Sequence, residues 1–323
     1  MTVRRGLENM KNKRVLVTGA EGYLGARISN FLQSQGFSIV CLARDRYYSL
    51  DNSDSFSTVD WSSFSDLETA CRGVSIIIHA AGLNAQECMV SPTRALDVNG
   101  LNTCRLVSAA KSCEVELMIH LSTVHVYSEA PNRTYDESSG VDNLHPYAVS
   151  HIVGEHAVGL FNDNNHRGLS LRVSNIVGSP NSQLSKGWDL FVNDLARQAI
   201  RNTSIMLRSN RKSARDFITI SDFLSNLKIV ICNYGSLKSN VINACSSKTL
   251  TIEELSLLFA ATYKNRFGKQ IKINWGNSET SLSSVPHFCY DNSLLRSLGA
   301  DFKNNFEYEI DEILKVAGHF FGK

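Results

Sequence analysis

The chain has 323 residues, 43% of them hydrophobic and 20% charged, with 33 basic and 31 acidic side chains. That length exceeds one ordinary domain and the composition can fill a sizeable core; 5 prolines and 20 glycines exclude a collagenous or low-complexity chain. A formal charge of +2 leaves no net field to recruit nucleic acid or anionic lipid, and no apolar run is long enough to span a bilayer.

Residues 1–12 are polar and basic and read as a disordered lead-in without the apolar stretch of a secretory signal. Val15 to Val17 form a short continuous apolar run, the pattern of a strand buried on both faces of a parallel sheet. Tyr23 to Gln35 follow with Leu24, Ile28, Phe31 and Leu32 on one helical face, closed by Gly36. The same alternation continues with a strand at Ser38–Leu42, a weak strand near Phe56–Val59 and a helix near Phe64–Arg72. A strand at Val74–His79, a helix at Thr93–Ser112, a strand at Glu116–Leu121, a helix at Tyr147–Phe161 and a strand at Leu169–Val173 complete it. Such alternation predicts an α/β fold with a doubly wound parallel sheet.

Beyond Asn175 the rhythm breaks. Gly178 to Gly187 reads as loop, Asp189–Ile200 as helix and Ser204–Leu207 as strand. Asp222–Asn233 reads as helix and Asn240–Ala244 as strand; Thr251–Lys264 is a helix opened by a capping box at Thr251 and Glu254. Ile271–Asn274 is a strand candidate, and short helices near 292–298 and 307–317 finish the chain. The expected organisation is a dinucleotide-binding domain over 13–175, with 218–247 returning to it. A smaller C-terminal substrate lobe takes 176–217 and 248–323.

The eight cysteines show no C-x2-C spacing and sit mostly in apolar stretches, so they read as reduced, buried thiols of a cytoplasmic protein without a metal site. The first strand runs directly into Gly19-Ala20-Glu21-Gly22-Tyr23-Leu24-Gly25. There the first glycine permits the tight turn and the second lets backbone approach a pyrophosphate. The third allows close helix packing, and the helix N-terminus favours the negative charge. Strand before and helix after are the context this pattern requires to bind a dinucleotide. The end of the second strand reads Leu42-Ala43-Arg44-Asp45-Arg46. Ala43 stands where a carboxylate would select NAD, and Arg44 could take a 2′-phosphate, which leans toward NADP. The alternative keeps NAD, with Asp45 on the ribose.

The glycine motif, His79-Ala80-Ala81-Gly82 closing the fourth strand, and Asp97-Val98-Asn99-Gly100 on a helix resemble the short-chain dehydrogenase/reductase superfamily. Chain length, Ser122 to Tyr127, Arg172 to Gly178 and Arg215-Asp216-Phe217-Ile218 resemble its extended branch, the NAD-dependent epimerase/dehydratase family acting on nucleotide sugars. The resemblance implies a Rossmann-type fold and a catalytic Ser/Thr, Tyr and Lys. Thr123 and Tyr147 match the first two; the lysine position holds His151. It also implies cofactor contacts at Gly19, Gly22, Tyr23, Leu24, Gly25, Arg44, Asp60, Ala80, Ala81, Gly82 and Asn99. Asn175 and Arg215 match substrate-binding positions, with Asp216 orienting that arginine or holding the turn. The helices at 93–112 and 147–161 correspond to those that pair subunits in this superfamily, which implies a homodimer.

A phenol with a pKa of about 10 needs a neighbouring cation to act as a base near neutrality. A neutral imidazole supplies little such field. The replacement therefore handicaps alcohol oxidation more than ketone reduction. The expected activity is reduction of a 4-keto nucleotide-diphosphate sugar, with Tyr147 as acid, Thr123 on the keto oxygen and His151 holding Tyr147 and the ribose. A 4-epimerase is the alternative enzyme, and a dinucleotide-binding regulatory or scaffold protein the alternative of another class. In the 4,6-dehydratases of the family the Thr is followed by an Asp-Glu pair; Val124 and His125 stand there, so elimination chemistry is not expected.

Overall fold

The computed structural model describes residues 13–43, 55–202, 204–276 and 288–322. The strands up to the sixth are β1 (Arg14–Thr18), β2 (Ser38–Leu42), β3 (Ser55–Ser57), β4 (Ile76–His79), β5 (Leu117–Thr123) and β6 (Arg133–Tyr135). Then come β7 (Arg167–Val173), β8 (Asn175–Val177), β9 (Ser204–Leu207) and β10 (Ala214–Thr219). The last four are β11 (Val241–Ala244), β12 (Thr249–Thr251), β13 (Lys272–Trp275) and β14 (Phe288–Tyr290). Seven of them form one parallel sheet in the order β11-β7-β5-β4-β1-β2-β3. The chain moves outward from β1 through β2 and β3, then returns to the other side of β1 as β4. The switch point between β1 and β4 opens a crevice at the carboxyl ends of the strands, where ligands of such sheets bind.

Alternating strand residues face opposite layers of helix. Val15, Val17, Ile39, Ile76, Ile78 and Ile119 pack on α1 (Tyr23–Ser34) and a later helix at Ile220–Asn233. Leu16, Val40, Ile77 and Met118 face the opposite layer, built from α2 (Phe64–Cys71) and helices farther along. Burial on both faces explains why these strands are continuous apolar runs. A separate core around Trp188, Phe217, Phe259 and Ile310 belongs to the smaller lobe.

The stretch predicted as one helix over 93–112 is broken. α3 (Ala85–Val90) comes first, opened by a capping box between Asn84 and Glu87, then α4 (Pro92–Ala95), a π-helical turn at Leu96–Leu101, and α5 (Asn102–Ser112). The π turn is a wide turn, a form frequent at functional sites, and it carries Asn99. Its Gly100 is forced: a Cβ there would lie 2.9 Å from Val153 Cγ1. Val153 belongs to α6 (Pro146–Gly159), which packs across the turn. The loop expected at 178–187 runs into a 3-10 turn at Lys186–Asp189. The short strands β6, β8, β10, β12 and β14 have no counterpart in the sequence reading, because each is held by pairing with distant residues.

Candidate active site

The glycine loop is built by steric necessity. Gly19 has φ +65°, and a Cβ there would stand 2.8 Å from the Ala81 backbone. At Gly25 a Cβ would meet the Gly19 carbonyl oxygen at 2.2 Å, so α1 can approach β1 this closely only with glycine. Thr18 Oγ1 accepts from Ala81 N–H at 3.1 Å and ties the ends of β1 and β4 together. One cleft is lined by Gly19, Gly22, Ala80, Ala81 and Gly82, with Ala43, Trp61 and Arg94 around it. These residues fit a dinucleotide: the backbone is bare where a pyrophosphate would approach, and Ala43 puts no carboxylate at the end of β2.

The remaining residues named for the cofactor are placed differently. Tyr23 donates its hydroxyl to the Gly178 carbonyl at 2.8 Å and so reaches the loop above the cleft. Leu24 packs against the central core, and Arg44 lies outside the described residues. The exposed Asp60 carboxylate accepts from Ser62 N–H at 2.8 Å and Ser62 Oγ at 2.7 Å, a turn before α2; its neighbour Trp61 lines the cleft. Asn99 is 1% exposed, accepts from Leu83 N–H at 2.7 Å and donates to Ser150 Oγ at 3.0 Å. It therefore braces the cleft wall and α6.

Tyr147 and His151 stand on successive turns of α6, which His145 caps by accepting from Tyr147 N–H at 3.1 Å, with Pro146 at its first position. Thr123 ends β5, and its hydroxyl accepts from His125 N–H at 3.1 Å. Burial pushes the Tyr147 phenol up to about 12, against a smaller downward pull from its hydrogen bond with Thr123. Among the described residues no ammonium or guanidinium acts on it. Burial, reinforced by His79 and His125, holds His151 down at about 3, so it is a neutral imidazole at neutral pH.

Behind His151 stand two further imidazoles. His79 and His120 are register partners on β4 and β5, with ring centroids 5.5 Å apart; His120 and His151 are also 5.5 Å apart. His79 bonds Thr18 Oγ1 at 2.7 Å through Nδ1 and Thr103 Oγ1 at 2.9 Å through Nε2. Thr103 spends its only proton on the Asn99 carbonyl at 2.6 Å. It must therefore accept from His79 Nε2–H, and Thr18 then donates to Nδ1. Burial keeps His79 at about 4 and His120 well below the ordinary imidazole value. Sequence reasoning missed His120 and its place between the other two. The signal was a histidine near the carboxyl end of two strands that become neighbours.

Neither residue expected to bind substrate lines the glycine-loop cleft: Asn175 donates to the Asp216 carbonyl at 2.9 Å, and Arg215 is half-buried on β10. Asp216 is fully buried and takes Ser246 N–H at 3.1 Å, so it holds the turn after β11. Burial raises its carboxyl to about 7. His125, half-buried, faces Asn175 and Arg215. Beneath the site Arg172 grips Glu155 with two bonds of 3.0 and 2.7 Å, both side chains under 8% exposed. Among the described residues no cluster of histidine, cysteine or carboxylate side chains could hold a metal, and the eight cysteines are thiols. No described helix is long and apolar enough to cross a membrane.

Comparison with known proteins agrees with this architecture. The model of the "NAD dependent epimerase/dehydratase family" matches residues 15–245. A UDP-glucose 4-epimerase of Mycolicibacterium smegmatis is 25% identical over 65% of this chain and 70% of its own. The solved UDP-glucose 4-epimerase of Thermus thermophilus in complex with NAD superimposes with TM-score 0.78 at 20% identity, covering 94% of this chain and 98% of its own. RMD from Pseudomonas aeruginosa complexed with NADPH gives 0.74 at 19% identity, covering 95% and 99%.

Proposed function

The chain belongs to the NAD-dependent epimerase/dehydratase family, and on that footing we propose that it reduces a 4-keto nucleotide-diphosphate sugar. The observation that carries this reading is the neutral His151 beside a phenol held at about 12. A reduced nicotinamide bound in the cleft would supply the hydride for the keto carbon. In this reading Thr123 holds the keto oxygen and Tyr147 donates its proton to that oxygen. A phenol with so high a pKa keeps its proton at neutral pH and is available as an acid; as a base for an alcohol it is poor. His151 steadies Tyr147 and the cofactor ribose by hydrogen bonding and packing, without adding charge.

Gly19, Gly22 and the backbone at Ala81 would take the pyrophosphate, and the absence of a carboxylate at Ala43 favours NADP over NAD. Asn175 and Arg215 would take the sugar and diphosphate, the guanidinium suiting phosphate oxygens. Residues 13–175 with 218–247 then carry the cofactor, and 176–217 with 248–323 the substrate. Exposed Leu101, Val153 and Leu160, on the π turn and α6 or just beyond it, support a homodimer through that face.

A second reading, a UDP-sugar 4-epimerase, is favoured by the names of the relatives. It requires Tyr147 to deprotonate an alcohol. The test offers the protein NADPH or NADH with a UDP-4-keto-6-deoxyhexose and follows loss of the reduced cofactor. Net cofactor oxidation with formation of the sugar alcohol is expected. Interconversion of UDP-glucose and UDP-galactose without net cofactor change would replace this reading by the epimerase, and binding without turnover by a regulatory protein.

A further inference from the structure

We infer that His120 is a positioning residue for this reaction: wedged between His79 and His151, it sets the plane in which the His151 ring meets Tyr147. The inference rests on the reading of Tyr147 and His151 as members of the reacting site. Its starting point is an orientation problem. His151 Nδ1 is buried and has no hydrogen-bond partner among the described residues, so before a cofactor is bound the imidazole plane is left to ring packing on that side. Those ring contacts are Tyr147 at 4.5 Å and 74°, and His120 at 5.5 Å and 30°.

His120 is itself unbonded: both ring nitrogens are buried and without partners among the described residues. Its orientation is inherited from His79, 5.5 Å away at the same 30°. Of the three rings His79 is the one held at both nitrogens, by Thr18 and Thr103. Orientation thus passes from a hydrogen-bonded anchor through a stacked ring to the residue beside the phenol. α6 makes room for this: a Cβ at Gly154, one turn beyond His151, would lie 2.8 Å from His120 Nε2. The Asn99 carbonyl comes within 3.1 Å of the same point, so the wedge is closed from the π turn as well.

The groups facing the column are uncharged or imidazole: Thr18, Thr103 and the Trp61 ring at His79, Gly154 and the Asn99 carbonyl at His120, Tyr147 and His125 at His151. A proton on any ring is opposed by burial, and on His120 and His151 by neighbouring imidazoles as well. The stack therefore delivers a neutral ring of fixed plane to Tyr147.

The test uses His120→Phe, which keeps a ring in the wedge, and His120→Ala, which removes it, in the full-length protein with its cofactor. The readouts are kcat and KM for the keto-sugar, the pH profile of kcat, the melting temperature, and the histidine ring signals of His151 in nitrogen-15 spectra assigned with His151→Asn. For His120→Phe a kcat within about threefold of the parent is expected, with a raised melting temperature because two unpartnered polar atoms are gone. For His120→Ala a loss of kcat of tenfold or more at unchanged KM is expected, with a displaced His151 signal that titrates at higher pH. Gly154→Ala, which pushes a methyl into the wedge, should act in the same direction.

A His120→Ala protein with parental kcat and parental His151 signals overturns the inference. So does equal loss in His120→Phe and His120→Ala, because then the nitrogens act and not the ring. Should the parent protein reduce no keto-sugar, the reductase reading falls by itself, and the His151 signals still decide whether His120 sets that ring.

Discussion

The Tyr147 and His151 rings meet edge to face, centroids 4.5 Å apart at 74°. In this arrangement the residue one turn beyond the phenol is an aromatic wall and not a charge. An ammonium at that place would stabilise phenolate; a buried neutral imidazole leaves the proton on Tyr147. In the proposed reduction, that pairing is what sets the direction of the chemistry.

Tyr147→Phe removes the proton donor and leaves the ring contact with His151. Loss of kcat by roughly 10²–10⁴ is expected, with cofactor affinity unchanged. Steady-state kinetics beside a fluorescence titration of the reduced cofactor separates the two; parental turnover in the variant removes Tyr147 from the mechanism.

His151→Lys puts a cation beside the phenol and lowers its pKa. Oxidation of the product alcohol near neutral pH should rise by about tenfold or more, since each unit of pKa shift corresponds to about 1.4 kcal/mol. The initial rate of cofactor reduction, measured from pH 6 to 9 in both proteins, gives the answer. No gain at any pH would mean that charge at position 151 does not set the direction.

Acid should destabilise the protein through the histidine column. His79 falls from 6.5 to about 4 on folding and His151 from 6.5 to about 3. A depressed group contributes stability that is fully present above its unfolded value and is lost as pH falls toward the folded one. For His79 this is on the order of 3 kcal/mol in full, of which about 2 kcal/mol is gone by pH 5. Urea unfolding between pH 7.5 and 4.5 should show stability falling below about pH 6.5. Asp216, raised to about 7 by burial, recovers stability over the same range, so the profile is read in Asp216→Asn beside the parent; a flat profile in that variant would show that the rings are not buried as neutral groups.

Gly25→Ala drives a methyl to 2.2 Å from the Gly19 carbonyl, which is backbone and cannot swing aside. A stability loss of about 1–3 kcal/mol is expected, with cofactor affinity falling as the loop moves. Calorimetric melting and cofactor titration are the measurements, with Gly159→Ala, where a Cβ meets nothing within 4 Å, as the control.

Glu155→Leu strands Arg172, which is 5% exposed and gripped by both carboxylate oxygens. A loss of about 3–5 kcal/mol is expected from the unpaired buried charge. Glu155→Leu combined with Arg172→Met should recover much of it. A single variant as stable as the parent would show that the pair contributes nothing net.

The apolar runs Val15–Val17, Ser38–Leu42 and Val74–His79 determined the parallel sheet by themselves, because burial on both faces demands continuous hydrophobic strands. The glycine loop was equally legible, since its requirements are local: a left-handed turn at Gly19 and close approach at Gly25. Tyr147 and His151, four residues apart, share one face of any helix, so their adjacency was also present in the sequence. Tertiary structure alone decided the rest. The helix expected over 93–112 contains a π turn, and Val153 from another helix fills the space a Cβ at its Gly100 would need. Asp216 holds the Ser246 turn, for a reason no local pattern carries. His120 lies 31 residues from His151 in the chain, and its place between two other imidazoles depends on strand register and on the missing Cβ of Gly154. The chain therefore declared its fold and the chemical types at its site, while the environment that keeps His151 neutral was set by burial among residues from three separate elements.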